Sequence, residues 1–120
     1  MRGSPAVQNH AAFKAILPLT DAERWSLHRW REGLTLEELA ALTGAKRRAL
    51  QRRERLGGSN APAIVHITLG EAIRVMRIRA GQTQGDLAHR LGVSRATINA
   101  CERGRIDAEK FFVLASALYN

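Results

Sequence analysis

The chain has 120 residues, 45% of them hydrophobic, and carries 19 Lys and Arg against 11 Asp and Glu, for a formal net charge of +8. Its length leaves room for one ordinary domain or two very small ones, and its single cysteine excludes an internal disulfide framework. Because no apolar run approaches the roughly 18 residues of a membrane span, and no signal-peptide pattern is present, we predict a small cytoplasmic protein that binds a polyanion.

The chain contains an internal repeat. When the sequence is shifted by 48 residues, positions 20–55 align without a gap with positions 68–103, and twelve of the 36 pairs are identical. We therefore predict two copies of one unit. The predicted domains are a divergent N-terminal unit over residues 1–56, a turn-rich linker over 57–66 and a second unit over 67–120.

The first copy is predicted to contain capped helices joined by a glycine turn. Thr35 and Glu38 have the spacing of a capping box, and Gly44 supplies the turn that follows. The residues expected to point inward are Leu39, Ala40 and Leu50.

The core of the first copy is expected to be packed differently from that of the second. Four positions that are apolar in the second copy carry Asp21, His28, Thr43 and Arg53 in the first. The apolar residues expected to fill the resulting gaps are Trp25 and Trp30, with Phe13, Ile16 and Leu17.

The second copy is predicted to contain three helices. The first, over residues 69–79, ends before Gly81, and the second begins at Thr83 in a capping box with Asp86. After a turn at Gly92, the third helix covers residues 94–102. The residues expected to point inward are Leu69, Ile73, Met76, Leu87, Ala88, Leu91, Ile98 and Cys101.

A last helix is expected after Asp107, which can cap it. Its predicted inward face consists of Phe111, Leu114, Ala115 and Leu118. Phe112 and Tyr119 lie on another face; like the apolar run 63–67, they are either a dimer surface or part of the core.

Two short helices joined by a glycine-containing turn form a helix-turn-helix. Residues 69–118 resemble the Cro/lambda-repressor-like, or XRE-type, helix-turn-helix family of transcription regulators, and residues 20–55 look like a divergent member. The resemblance implies an all-α fold of two tandem small helical units, lambda-repressor-like, the first divergent. It is carried by Leu69–Arg74, Gly81–Gln84, Leu87, Ala88, Leu91–Arg95, Ile98 and Glu102–Gly104.

In this family the second helix of the motif enters the major groove of DNA, which implies that helix 94–102 reads base edges. Arg95 can then grip a guanine edge or a phosphate, and the short side chains after it allow close approach to thymine methyl groups. Gln84 would hold a phosphate and support Arg95. The DNA-binding residues predicted in the second copy are Thr83, Gln84, Ser94, Arg95, Ala96, Thr97, Asn99, Ala100 and Arg103.

The equivalent helix of the first copy, over residues 46–55, is far more basic. Such a face suits phosphate binding, with Arg47 in position to read guanine. The alternative is that the first copy pairs with the neighbouring copy, and that its arginines only keep its surface solvated. The DNA-binding residues predicted here are Lys46, Arg47, Arg48, Gln51 and Arg52.

The resulting hypothesis is a sequence-specific DNA-binding transcriptional regulator. A small repressor or autoregulator, bacterial or encoded by a phage or plasmid, fits best. It would bind double-stranded DNA as a single chain or as a homodimer. One alternative is an antitoxin or docking module whose main partner is a protein, such as a toxin. Another is a nonspecific nucleic-acid binder driven by charge.

No catalytic motif is present, so the chain is not predicted to be an enzyme or to hold a cofactor. The four histidines show no metal-ligand spacing with one another or with Cys101, and no metal site is predicted. Cys101 is expected on the buried side of its helix, as an inert thiol.

Overall fold

The computed structural model describes residues 17–119, which form seven α-helices and no strand, so the predicted all-α fold is confirmed for this range. Two compact units are present: a first unit over residues 18–65 with helices α1–α3, and a second unit over residues 66–119, together with Leu17, with helices α4–α7. The helices are α1 (Asp21–Glu32), α2 (Leu36–Thr43), α3 (Arg47–Leu56), α4 (Leu69–Arg79), α5 (Gln84–Leu91), α6 (Arg95–Glu102) and α7 (Glu109–Tyr119).

Helix starts in the two units lie 48 residues apart. The caps of α1, α2 and α3 are Thr20, Thr35 and Lys46, and those of α4, α5 and α6 are Thr68, Thr83 and Ser94. Each threonine forms a capping box, in which its hydroxyl accepts from the third backbone N–H and an acidic side chain accepts from its own N–H.

The helix predicted over residues 46–55 begins one residue later. Lys46 makes no side-chain cap hydrogen bond, and α3 extends to Leu56. The helix predicted over 94–102 begins at Arg95, because Ser94 is its cap and accepts from the Thr97 N–H at 3.1 Å.

The second unit holds a continuous apolar core between α4, α5, α6 and α7. At one point the backbones approach closely: a β-carbon at Gly70 would overlap the carbonyl oxygen of Cys101 and lie 2.8 Å from that of Glu102. A glycine at this position therefore lets α4 lie directly against the end of α6. The buried core residues are Ile73, Met76, Leu87, Ala88, Ile98, Cys101, Ala108, Phe111 and Ala115.

The prediction for α7 is partly wrong. Leu114 is 46% exposed, whereas Phe111 and Ala115 are buried. The side of α7 that faces the core is rotated from the predicted one, because Phe112 and Tyr119 from the other predicted face also pack against the core. This packing favours core over dimer surface for these two aromatic residues.

The apolar run 63–67 is divided between core and surface. Ile67 is buried at 3% exposure, while Val65 is 49% exposed. Only part of this run is therefore available to a partner.

The first unit has a smaller core. Leu27 and Leu50 are buried, but Leu39 and Ala40, which were predicted to point inward, are only half-buried. Predicted contributions from Phe13 and Ile16 lie outside the described residues. Leu17 was assigned to the wrong core, since it packs against the second unit.

An arginine and a tryptophan replace an apolar contact in the first unit. The guanidinium carbon of Arg53 lies 3.6 Å from the ring centroid of Trp25, a cation–π geometry. These positions correspond to Cys101 and Ile73 in the repeat, both buried in the second core. The prediction that Trp25 compensates for lost apolar residues is supported, with Arg53 as its partner. Burial lowers the pKa of Arg53.

The Gly70→Ala variant should lose stability, because its new methyl group meets backbone that cannot move aside without separating α4 from α6. We expect the free energy of unfolding to fall by about 1–3 kcal/mol in urea denaturation. Gly85→Ala is the matched control: its β-carbon meets only Thr83 Oγ1 at 3.7 Å, and it should be neutral or stabilising. Equal stability of the two variants would contradict the close approach.

Candidate nucleic-acid interface

A buried ion pair joins α4 to α6 in the second unit. Arg77 Nε donates to Glu102 Oε2 at 2.7 Å and Arg77 Nη2 donates to Oε1 at 3.1 Å, while Nη1 donates to the carbonyl oxygen of Gln82 at 2.8 Å. The Glu102 side chain is fully buried and that of Arg77 is 10% exposed. This pair therefore fixes α4, the loop before α5 and the end of α6 relative to one another.

The first unit contains the same arrangement, atom for atom. Arg29 Nε and Nη2 donate to the two oxygens of Glu54 at 2.6 and 2.8 Å, and Nη1 donates to the carbonyl oxygen of Leu34 at 2.8 Å. All three residues stand 48 positions before their counterparts. The hydrogen bond with Glu54 raises the pKa of Arg29.

Gln84 connects the buried pair to the exposed side of α6. Its amide nitrogen donates to Glu102 Oε1 at 3.1 Å and to Asn99 Oδ1 at 3.3 Å. No hydrogen bond joins Gln84 to Arg95 among the described residues, so the support of Arg95 by Gln84 stays a prediction. Asn99 keeps its own amide nitrogen as a donor.

The start of α6 forms a polar and short-chained surface. Arg95 and Ala96 are exposed, and the Arg95 side chain makes no hydrogen bond or ion pair within residues 17–119. Ser94 and Thr97 are tied together through their hydroxyl oxygens, 2.9 Å apart. Among the other predicted contacts, Thr83 and Arg103 are exposed, and Gln84, Thr97, Asn99 and Ala100 are half-buried. We call Ser94–Thr97, Asn99 and Ala100, with Thr83, Gln84 and Arg103, the α6 face.

The members of the α6 face come from three places: Ser94–Thr97, Asn99 and Ala100 from the N-cap and first two turns of α6, Thr83 and Gln84 from the start of α5, and Arg103 from the C-cap of α6. Gly92 takes a positive φ of 70°, which turns the chain between α5 and α6. The first backbone N–H groups of both helices are available to anions, as at other helix N-termini. A guanidinium, an amide donor and two short side chains thus share one surface.

In the first unit, Arg47 is already engaged. Its Nε donates to Glu37 Oε2 at 2.7 Å, and its Nη1 donates to Gln51 Oε1 at 3.4 Å. A backbone hydrogen bond and the contact with Arg47 lower the pKa of Glu37. Lys46, Arg48, Gln51 and Arg52 are exposed, as is Arg55 one turn further along α3.

Sequence reasoning missed the Arg77–Glu102 pair and the acidic neighbour Glu37, and it left the exposed Arg55 out of the predicted contacts. A signal for the first was present, since the identical positions of the repeat include both members of the pair. Glu37 carried no such signal, because the second copy has Gly85 there.

Metal and membrane sites have little support. Between residues 17 and 119, no three His, Cys, Asp or Glu side chains come together as a metal ion would require; His10 lies outside this range. None of the described helices is long and apolar enough to cross a membrane.

Comparison with known families gives one result. Residues 68–117 match the family model described as a helix-turn-helix domain, which corresponds to α4–α7 of the second unit. The match supports a DNA-binding helix-turn-helix family for this part of the chain, as the sequence predicted. No curated protein and no solved structure matched.

Glu102→Gln should strongly destabilise the protein, since it leaves the buried guanidinium of Arg77 without a counter-charge. We expect a loss of about 3–5 kcal/mol in the free energy of unfolding. Glu37→Gln breaks an exposed ion pair and should cost no more than about 1 kcal/mol. Similar losses in the two variants, measured by urea denaturation, would contradict a special role for the buried pair.

Cys101 should be inert in the native protein. Its side chain is buried, and burial together with nearby Glu102 and Asp107 raises its thiol pKa to about 11. Since the thiolate is the reactive form, the native rate with a disulfide reagent should stay low at pH 8 and rise towards pH 11. Addition of urea at pH 8 should restore fast reaction; rapid labelling of the native protein would contradict this assignment.

Proposed function

We propose that this protein is a sequence-specific DNA-binding transcriptional regulator that reads the major groove with the α6 face. The observation that carries the proposal is the Arg77–Glu102–Gln84–Asn99 network beneath that face. It joins α6 at Asn99 and Glu102 to a buried support, while the Arg95 side chain makes no hydrogen bond or ion pair within the described residues and is available to a ligand. Preorganised donors of this kind lower the entropic cost of binding.

The chemistry of the α6 face suits a DNA base edge. Arg95 has a free bidentate edge for guanine N7 and O6, and Ala96 and Ala100 are short enough to bring the helix backbone close to the bases. An asparagine that binds adenine uses its amide nitrogen and its amide oxygen together. In Asn99 the amide oxygen already accepts a hydrogen bond from Gln84. Asn99 therefore contributes a donor to an acceptor edge.

The regulatory role we propose is that of a small repressor or autoregulator of the Cro/lambda-repressor-like, or XRE, type. A chain that occupies the major groove of a promoter blocks access by occlusion. The two helical units are then tandem copies of one motif, supported by their equal cap spacing and their matching arginine–glutamate pairs. We place it in the bacterial cytoplasm, without a cofactor or enzymatic activity.

A protein partner is the second candidate. Val113 is 61% exposed and Leu114 46% exposed on α7, and both are apolar. A second copy of the chain or a toxin would cover such side chains. Co-purification of a partner with DNA affinity no better than nonspecific would favour this reading.

Selection from a random duplex pool at about 150 mM salt, followed by sequencing, tests the proposal. An enriched motif is expected. A motif with inverted-repeat symmetry would indicate a homodimer, whereas a motif without it would indicate a single chain on the site. Enrichment of no motif would overturn sequence-specific binding.

Arg95→Ala should weaken binding to the selected site by about 1–3 kcal/mol, because a bidentate guanine contact is lost. Fluorescence anisotropy with the selected and a scrambled duplex measures this loss. Lys110→Ala on α7 removes one positive charge away from the α6 face and should leave the ratio of the two affinities unchanged. If Arg95→Ala gives the same footprint and the same ratio of the two affinities as wild type, α6 is not the helix that reads the bases.

A further inference from the structure

The first turn of α2 carries Glu37 and Glu38, whereas that of α5 carries only Asp86, the counterpart of Glu38 in the repeat. Glu37 stands at the position of Gly85, its side chain is exposed, and a backbone hydrogen bond and the contact with Arg47 lower the pKa of its carboxyl. In helix-turn-helix docking the first helix of the motif crosses the DNA backbone. Docked in that way, the first unit would bring Glu37 towards phosphates, and the charges would repel.

The base-reading position of the first unit is also occupied. A bidentate guanine contact needs two donors of one guanidinium edge. Arg47 already uses Nε for Glu37 and Nη1 for Gln51. The positions of Ala96 and Ala100 carry Arg48 and Arg52, whose length keeps a base edge away from the helix backbone.

A different surface of α3 is suited to phosphate. Arg48, Arg52 and Arg55 are spaced one helical turn apart, all are exposed, and none forms an ion pair within the described residues. With Gln51 and Leu56 they line a shallow depression that contains no acidic side chain. The three arginines span about 10 Å of helix, and phosphates of one DNA strand recur about every 3.4 Å along the axis.

We propose that the first unit is an anchor for the phosphate backbone of duplex DNA and does not read sequence. The anchor consists of Arg48, Arg52 and Arg55, which we call the α3 stripe. This inference rests on the proposed function in that both units act on DNA. It assigns sequence recognition to the α6 face alone.

The anchor has a consequence for the whole chain. Contacts to phosphate hold a protein on any duplex, so the second unit would search for its site at a raised effective concentration. The selected motif should then consist of one half-site per chain, with no second half-site of different sequence.

The test uses the full chain and measures anisotropy on the selected and scrambled duplexes between 50 and 300 mM salt. The variant R48Q/R52Q/R55Q should weaken binding to both duplexes by the same factor. The slope of log K against log salt is negative, and each lost phosphate contact should reduce its magnitude by about 0.9. The magnitude of the slope should therefore fall by about 2 to 3 in the triple variant. Arg47→Ala should leave the ratio between the two duplexes within about two-fold of wild type, since Arg47 is not expected to read bases.

Matched controls separate charge loss from loss of the anchor. Arg52→Gln should change the slope by about 0.9, whereas Lys110→Gln, an equal charge loss on α7, should leave it unchanged. Thermal unfolding followed by circular dichroism checks that each variant remains folded.

The outcomes are distinct. An unchanged slope in the triple variant overturns the anchor, and would leave the α3 stripe to a protein partner. The anchor is also overturned if Arg47→Ala lowers the ratio of the affinities for the selected and the scrambled duplex, or removes a second half-site from the selected motif. In either case the first unit would read sequence. If wild type shows no preferred motif, the proposed function fails, but the slope on any duplex still decides whether the α3 stripe binds phosphate.

Discussion

An arginine–glutamate pair, buried in the second unit and half-buried in the first, ties the first helix of each unit to the third. Such a pair adds little net stability compared with apolar side chains of the same size, because both ions lose their hydration. It does penalise every arrangement in which one partner is left alone, so it selects a single register of α4 against α6. Through Gln84 the same constraint reaches the start of α5 and the exposed side of α6. The position of the α6 face therefore depends on an interaction that touches no ligand.

Much of the local structure could be predicted, because it depends on interactions within four residues. Thr35 with Glu38, and Thr83 with Asp86, form the capping boxes that their spacing indicates. The turn at Gly92 follows in the same way from the backbone freedom of glycine. Helical periodicity also predicted most of the second core, whose apolar residues repeat along one face of each helix.

Contacts that depend on helix packing could not be predicted. The hydrogen bond from Gln84 to Glu102 depends on how closely α4, α5 and α6 pack, and Gly70 allows that approach. Leu114 is exposed because α7 turns Phe112 and Tyr119, together with Phe111 and Ala115, towards the core. In the first unit, Arg53 stacks on Trp25 where the second unit has an apolar contact. A search for apolar positions detects only that an apolar residue is missing, and it does not predict the interaction that replaces it.

The network beneath α6 divides its residues into two groups with different freedom to change. Arg95 and Ala96 share no side-chain hydrogen bond with the folded core, so substitutions there alter the ligand surface at little cost to folding. Asn99 is bound to Gln84, and any replacement must satisfy a half-buried amide as well as a ligand. Under the proposed function, new sequence preferences would therefore arise most readily at the start of α6. Change at Asn99 requires a compensating change in Gln84.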